Sequence, residues 1–169
     1  METSELLTDT FDRIRELYVD IASDLTPDAA HHRPDGTGNS IAWLLWHTAR
    51  VQDDHVAGLA GNRQAWHDGW VEAFALPFDL DDIGYGHTSE QVDAVRIDDP
   101  GPLLEYHDAV HQLTLDYLRG VDAEELDRVV DRRWDPPVTA GVRLVSVVGD
   151  CLQHLGQAAY VKGLLSSAD

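Results

Sequence analysis

The sequence predicts an all-α protein, a four-helix bundle with long connections and one or two short extra helices. Four long segments repeat apolar residues at spacings of three and four, the pattern of a helix that buries one face. The connections between them are rich in Pro, Gly and Asp, and no pair of segments has the pattern of a β-hairpin. The chain has 169 residues, which suits one domain, so we expect residues 1–169 to form a single bundle.

The first two long helices begin at residues that are typical helix caps. Thr3 or Ser4 is the predicted start of the first helix, which runs to about Leu25. A Pro- and Gly-rich connection follows, and Asn39 or Ser40 then caps the second helix, IAWLLWHTARVQDDHVAGLA. Both helices are amphipathic, so we expect each to contribute one face to the core.

Gly61 and Asn62 end the second helix, and a long segment without helical periodicity follows. Residues 63–87 carry five large aromatic side chains among Asp and Gly. A connection of this length usually has a function, and a cluster of aromatic residues needs an apolar surface to cover. We therefore predict a long ordered loop or a partner-facing segment.

The third long helix follows a second Pro-rich break. Ser89 caps a short helix to about Arg96, and residues 98–102 then interrupt the chain. The stretch LLEYHDAVHQLTLDYL has helical periodicity and ends before Gly120. We expect this helix to pack with the first two.

The fourth long helix closes the predicted bundle. A brief helix, AEELDRVV, precedes a breaker at residues 134–137. The stretch RLVSVVGDCLQHLGQAAYVKGLL then continues the helical pattern for too many residues to be a strand. Because the second and third connections are long, a topology other than simple up-and-down is allowed.

The composition excludes several classes of function. Lys and Arg number 12 against 31 Asp and Glu, so the formal net charge is −19 and the chain repels nucleic-acid phosphates and anionic lipid surfaces. We expect no nucleic-acid partner and no membrane. Cys151 is the single cysteine, so an internal disulfide and a cysteine zinc site are excluded. Since the N-terminus also lacks a signal-peptide pattern, we expect a cytoplasmic protein.

Two polar residues interrupt the apolar face of the fourth helix. Asp150 and His154 are four residues apart and therefore share a face. His47 lies among apolar residues of the second helix and is a candidate third ligand for a cation. Two imidazoles and one carboxylate leave coordination positions open, as in catalytic zinc or non-haem iron sites. The alternative is a pair of core histidines that hydrogen-bond Asp150 without metal.

Five further residues are secondary candidates for this site. Asp54 and His55 follow the second-helix histidine on a neighbouring face and would support the ligands or form a solvated flank. Gln157 belongs to the same polar stripe as the fourth-helix ligands. Arg50 and Arg143 are candidates for binding a substrate anion, although arginines near helix ends more often pair with local carboxylates.

The remaining histidines and the cysteine are assigned no chemistry. His107 and His111 form a second pair at a spacing of four, but they lie to one side of the main apolar stripe, which predicts a solvated flank with His111 edging the cavity. Cys151 falls on an apolar row, which predicts a buried packing residue. The histidines in connections are predicted at the surface: His31, His32, His67 and His87.

Two stretches of this chain resemble the DinB-like superfamily, in its branch of mycothiol-dependent enzymes. They are IAWLLWHTARVQDDH and WDPPVTAGVRLVSVVGDCLQHLGQAAYVKGLL, and the resemblance covers nearly the whole chain. It implies a DinB-like four-helix bundle, often a homodimer, with a divalent metal held by three side chains. Carried over by position, the ligands are His47, His154 and Asp150, where many members have His and the maleylpyruvate isomerase branch has Glu.

The resemblance implies a metal-dependent thiol S-transferase. The metal would be zinc, or else nickel, manganese, cobalt or iron, and the co-substrate mycothiol would attack an electrophilic small molecule. Two other functions stay open at this point. One is a non-catalytic, metal-binding stress-response bundle whose aromatic loop recruits a partner, and the other is a metal-dependent hydrolase.

Overall fold

Four long helices carry the fold in the computed structural model, which describes residues 2–166. The long helices are α1 (Thr3–Ala22), α3 (Ile41–Ala60), α6 (Gly101–Leu118) and α8 (Ala140–Ser166). The short helices are α2 (Pro27–His31), α4 (Trp70–Phe74), α5 (Ser89–Ala94) and α7 (Ala123–Asp127). α1 packs against α6 and α8, and α3 packs against the same two helices. The predicted all-α bundle is confirmed.

The caps of α3 explain its length. The Ser40 hydroxyl accepts a hydrogen bond of 3.2 Å from the backbone N–H of Trp43, and Gly61 ends the helix in the left-handed conformation with φ of 67°. Both boundaries match the prediction. α8 starts one turn earlier than predicted, because the Thr139 hydroxyl accepts from the backbone N–H of Val142 and caps the first turn.

The connections hold more structure than the sequence predicts. Residues 26–38 contain α2 and a 3₁₀ turn (Pro34–Gly36). The predicted brief helix AEELDRVV ends at Asp127, and Val129–Asp131 instead forms β1, which pairs antiparallel with β2 (Val138–Thr139). The valines favour this extended pairing over another helical turn.

The aromatic segment 63–87 is an ordered loop, as predicted. It contains a 3₁₀ turn (Ala65–His67) and α4, and its Trp66 and Phe74 are buried against the core. The N–H groups of Ala65 and Trp66 donate to the carboxylate of Asp53 at 2.9 and 2.8 Å. These bonds tie the start of the loop to α3 and hold it over the bundle.

All four long helices contribute to one apolar core. Its largest fully buried side chains include Phe11, Ile14, Tyr18, Leu44, Leu45, Trp46, Leu103, Tyr106 and Leu144. Cys151 is also fully buried, as predicted, and burial raises the pKa of its thiol far above the ordinary value. Within residues 2–166, no helix has the length and apolar character needed to cross a membrane.

Candidate metal centre

α3 and α8 bring the three predicted ligands together at one point of their interface. One ligand atom each from His47, Asp150 and His154 lies within 4.8 Å of the other two. Nε2 of His47 is 3.7 Å from Oδ1 of Asp150, and Nε2 of His154 is 3.8 Å from the same oxygen. Two atoms that each lie ~2.1 Å from one ion are at most ~4.2 Å apart, so both separations suit a shared cation.

The carboxylate of Asp150 is the least satisfied group in this cluster. Its Oδ1 atom is buried and has no hydrogen-bond partner among the described residues. The distances of 3.7 and 3.8 Å to the imidazoles are too long for hydrogen bonds. The metal-free alternative, in which Asp150 hydrogen-bonds both histidines, is therefore not what the structure has. A buried anionic oxygen without a partner costs free energy that a cation would offset.

Each histidine is held in the tautomer that a metal ligand needs. Nδ1 of His47 donates to the backbone carbonyl of Ile83, so the Nε2 lone pair points to the carboxylate. Nδ1 of His154 lies 3.1 Å from Oε1 of Gln157, which accepts in the same way. Metal-binding histidines commonly donate their second ring nitrogen to such an oxygen. Gln157 thus contacts His154, one of the three candidate ligands.

Burial keeps His47 in its neutral form. The side chain is 2% exposed, and its ring stacks on Trp43 with centroids 4.6 Å apart. Removal from water lowers the pKa of His47, and this outweighs the hydrogen bond to Ile83 and the nearby Asp150 charge, which raise it. A neutral imidazole is the form that coordinates metals.

The end of the aromatic loop forms the wall of the site. Gly84 has φ of +97°, and a Cβ atom there would lie 2.7 Å from Nδ1 of His47. Only glycine lets the backbone approach closely enough for the Ile83 carbonyl to reach the imidazole. Tyr85 follows, with its ring 5.4 Å from that of His47. Sequence reasoning missed these residues, although the closely spaced Gly84 and Gly86 are a signal of unusual backbone.

His87 was also missed, and its predicted surface position is wrong. Its side chain is 3% exposed, and Nδ1 accepts a hydrogen bond of 3.1 Å from the indole N–H of Trp43. Nε2 then donates to the carboxylate of Asp82 at 3.0 Å. This chain of hydrogen bonds fixes the Trp43 ring that stacks on His47.

Asp54 and His55 lie near the centre but do not support its ligands directly. His55 Nδ1 is 3.1 Å from Oδ2 of Asp54 and 3.2 Å from Nη1 of Arg143. Among residues 2–166, neither side chain hydrogen-bonds to one of the three candidate ligands. The Tyr85 ring lies near both histidines of α3, 5.4 Å from the ring of His47 and 6.5 Å from that of His55. Asp54, His55 and Arg143 instead line a neighbouring cleft.

Arg50 does not fit the expected role in binding a substrate anion. Its side chain is 0% exposed, with the guanidinium 4.7 Å above the Trp66 ring. Nη1 donates to Oε1 of Gln64 at 2.8 Å and lies 3.8 Å from Asp53. The residue is a buried cation between α3 and the aromatic loop, where it stabilises the loop that covers the site.

The predicted solvated flank of α6 is wrong. His107 is 1% exposed and His111 is 3% exposed. His107 stacks on Tyr18 with ring centroids 3.9 Å apart, and Nε2 of His111 lies 3.0 Å from Oδ1 of Asp12. α6 packs against both α1 and α3, so a wider part of its surface is buried than one apolar stripe indicates.

The connection histidines are not uniformly at the surface either. His31 has a side chain that is 14% exposed, and its Nε2 accepts a hydrogen bond of 2.9 Å from the backbone N–H of Ile97. His67 is partly exposed, and His32 is exposed as predicted. His31 therefore ties the end of α2 to the segment between α5 and α6.

The fold and site together define a helical bundle with a candidate centre of two histidines and one aspartate. The family model of the DinB superfamily matches residues 10–158, and the chain belongs to that superfamily. A crystal structure described as the conserved protein of locus from Enterococcus faecalis is 34% identical, covers 99% of each chain and has a TM-score of 0.90. No curated protein matches the chain.

Proposed function

We propose that this protein is a divalent-metal-dependent S-transferase that joins a low-molecular-weight thiol to an electrophilic small molecule. The buried Oδ1 atom of Asp150 carries the proposal, because it has no hydrogen bond and faces Nε2 of both His47 and His154. A site that collects two imidazoles around one unpaired carboxylate oxygen suits a cation better than any neutral ligand.

The donor set favours a metal of intermediate hardness. Imidazole nitrogen suits zinc, copper, iron and nickel, whereas carboxylate oxygen also suits manganese. We propose zinc first, with nickel, manganese, cobalt and iron as the other candidates. Asp150 is shorter than the Glu or His that the resemblance leads one to expect at this position. The identity of the bound metal therefore tests whether the shorter ligand changes the metal preference of the site.

The site is open on one side, as a catalytic centre must be. The side chains of Asp150 and His154 are 23% and 20% exposed, whereas His47 is 2% exposed. Three protein ligands leave at least one coordination position for a reactant. A reactant would therefore enter from the α8 side, next to the exposed ring of Tyr85.

The chain's own residues would orient and shield this chemistry. A bound divalent cation supplies one property, since it favours the thiolate form of a thiol. The sulfur then forms a bond to the electrophilic carbon, the leaving group departs with its bonding electrons, and the thiol proton passes to solvent. The Ile83 carbonyl and Gln157 hold the two imidazoles. Trp43 covers the buried face of His47 and excludes water there.

Mycothiol is the thiol that we propose. The support is the resemblance of the second- and fourth-helix stretches to the mycothiol-dependent branch, including HLGQ at positions 154–157. A small electrophile is then the other substrate. The net charge of −19 and the single buried cysteine support a cytoplasmic enzyme without a nucleic-acid or membrane partner.

The first test is metal content and affinity. Elemental analysis of gently purified protein should find about one divalent ion per chain, and titration of chelator-treated protein should give the order of affinities. His154→Ala should weaken binding by at least ~10-fold, since losing a ligand costs at least as much as losing its supporting partner. His32→Ala removes an exposed histidine outside the centre and should change nothing.

The second test separates transfer from hydrolysis and from passive binding. Mycothiol, glutathione, bacillithiol and no thiol are each combined with a haloaromatic electrophile, using metal-loaded and chelator-treated protein. Conjugate formation that needs both thiol and metal supports the proposal. Ester or amide cleavage without thiol would replace it with a hydrolase, and metal binding without any turnover would replace it with a binding protein.

A further inference from the structure

A second polar cleft lies beside the metal centre, between α3, β1 and the first turns of α8. Its volume is about 410 Å³, which lies within the range of small-molecule sites. The charged and titratable side chains that line it are Asp54, His55, Asp131, Arg132, Arg133 and Arg143. We call this the arginine cleft.

The arginine cleft has the opposite charge to the rest of the chain. Three arginines face two carboxylates, an excess of one positive charge before His55 is counted, whereas the whole chain carries a formal −19. A local positive region on a strongly acidic protein attracts anions that the remaining surface repels. The sequence contains 12 basic residues in all, so three in one cleft is a marked concentration.

The carboxylate of Asp131 is occupied by Arg133 and leaves Arg143 largely free. Asp131 accepts from Nε and Nη2 of Arg133 at 3.0 and 2.8 Å and from its backbone N–H at 2.9 Å. These bonds hold the pKa of Asp131 well below its usual range. Nη2 of Arg143 is 3.7 Å from the same carboxylate, beyond hydrogen-bond distance.

His55, the other partner of Arg143, also contacts Asp54. Nδ1 of His55 lies 3.2 Å from Nη1 of Arg143 and 3.1 Å from Oδ2 of Asp54. One ring nitrogen accepts from the guanidinium or donates to the carboxylate, but a single protonation state cannot do both. Arg143 is 24% exposed and therefore has N–H groups available in the cleft. Arg132 is exposed, without a hydrogen bond or ion pair among the described residues.

The arginine cleft and the metal centre lie beside each other along the packed helices α3 and α8. Arg143 and Asp150 are seven residues apart on α8, which places them on the same face at a rise of ~10 Å along the axis. His47 and His55 are eight residues apart on α3, at a rise of ~12 Å along its axis and on neighbouring faces. Tyr85 stands between the two sites, 5.4 Å from His47 and 6.5 Å from His55.

We propose that the arginine cleft binds a carboxylate group of one reactant while the reacting atom of that molecule lies at the metal centre. This assignment rests on the proposed transferase function and names its substrate class, a small carboxylic acid. The planar guanidinium matches a carboxylate with two parallel hydrogen bonds, which fixes both position and orientation. The carboxylate belongs to the electrophile if the thiol is uncharged, or to the thiol itself.

The activity test uses a ladder of acids and their neutral esters. The electrophiles are 4-chloro-3-nitrobenzoate and longer ω-(4-chloro-3-nitrophenyl)alkanoates, each paired with its methyl ester. The thiol sulfur bonds to the ring carbon that carries chlorine, chloride leaves with the bonding electrons, and the thiol proton goes to solvent. Arg143→Gln should raise KM for the best acid by about 10- to 100-fold and leave that of its ester unchanged.

Matched variants separate the cleft from a general charge effect. Arg143→Lys keeps the charge but not the two-pronged geometry and should fall between wild type and Gln. Arg132→Gln changes an exposed side chain and should raise KM for the acid several-fold without affecting folding. Arg119→Gln removes an equal charge from a surface pair with Asp116 and should have no effect. A change in KM that is the same for acid and ester, and also the same with glutathione and mycothiol, would overturn the proposal.

Two arms identify the source of the carboxylate. If the Arg143→Gln penalty appears with glutathione and not with mycothiol for the same neutral ester, the carboxylate is on the thiol. If Arg143→Gln raises KM for the acid electrophile but not for its ester, with either thiol, the carboxylate is on the electrophile. Both results support a carboxylate site. A rise in KM that is the same for acid and ester and the same with both thiols contradicts it.

Direct binding keeps this proposal distinct from the proposed function. Calorimetric titration of the dechlorinated acid, without thiol, should show binding to wild-type protein that weakens by about 10- to 100-fold in Arg143→Gln. Chelator-treated protein should retain this difference, which excludes a carboxylate held by the metal. Equal affinities of wild type and Arg143→Gln for this acid, and also for glutathione titrated in its place, would overturn the cleft even in an active transferase. A clear difference with either one would support it even if no transfer were found.

Discussion

Two helices of this bundle each place a histidine four residues after another ionisable group, and the structure treats the two pairs in opposite ways. In α8, Asp150 and His154 face His47 of α3, and both imidazoles have their Nδ1 atoms held by an oxygen. In α6, His107 and His111 face α1. Both ring nitrogens of His107 are buried without a hydrogen-bond partner among the described residues.

The difference teaches that spacing within one helix does not define a site. A ligand set needs a third group from another helix and an oxygen that fixes each imidazole. The α8 pair has both. The α6 pair meets the ring of Tyr18 and the carboxylate of Asp12, which give stacking and one ion pair but no set of three ligand atoms. The first pair is therefore arranged for a cation, and the second is a packed part of the core.

The largest effect is expected from acid on the α6 pair. Burial lowers the pKa of His107 to about 3, so the unfolded chain takes up its proton first as the pH falls below 6.5. Stability should therefore fall between about pH 6.5 and 3, by up to ~1.4 kcal/mol per pH unit and roughly 4–5 kcal/mol in all. His107→Phe should abolish this component, and it should add about 1–3 kcal/mol at pH 7 by removing unpartnered polar atoms.

Urea unfolding of chelator-treated protein at several pH values measures this effect without any contribution from metal release. The phenyl ring can keep the stacking on Tyr18, so the variant tests the nitrogens and not the shape. The stability gap between His107→Phe and wild type should widen as the pH falls. Parallel pH profiles for the two proteins would show that His107 is not held neutral by burial.

The next effect concerns the carboxylate of the α8 pair. Asp150→Asn keeps the size of the side chain and removes its charge, so metal affinity should fall by about 100-fold or more, beyond what loss of a supporting partner costs. Asp150→His should restore part of the affinity, because imidazole is also a good ligand. Competition with a coloured chelator measures both variants. Wild-type affinity in Asp150→Asn would mean that the carboxylate does not touch the metal.

The sequence predicted the elements whose signals are local. Ser40 and Gly61 mark the ends of α3 because capping and left-handed conformations restrict residue type. The three candidate ligands were predicted because polar residues inside an apolar stripe need partners. The β1–β2 pair was not predicted, because its strands have only three and two residues, too few for an alternating pattern.

What sequence reasoning missed depends on contacts between distant segments. The Ile83 carbonyl supports His47, but a backbone oxygen has no residue-type signal. The burial of Arg50 follows from the loop that folds over it, and loops do not show their docking surface in one sequence. The burial of His107 was missed for a related reason. α6 packs against both α1 and α3, whereas a single apolar stripe in the sequence indicates only one buried side.

The smallest expected effect tests how the loop supports the α8 pair. Gly84 has φ of +97°, and an added Cβ would lie 2.7 Å from Nδ1 of His47 and 3.1 Å from the Trp46 ring. Gly84→Ala should therefore push the Ile83 carbonyl away from the imidazole and lower metal affinity by about 10-fold, the lower end for loss of such a partner.

Gly86→Ala is the matched control for that substitution, because Gly86 has φ of +70° but open space around the position of a Cβ. Both variants place alanine at a positive φ, and Gly84→Ala adds the contacts with the His47 and Trp46 rings. Thermal stability should therefore fall in both variants and more in Gly84→Ala, whereas metal affinity should fall in Gly84→Ala alone. Chelator competition on both proteins gives the comparison. Equal loss of affinity would mean that the loop acts through its general order, and equal retention would mean that the Ile83 carbonyl does not hold His47 for the metal.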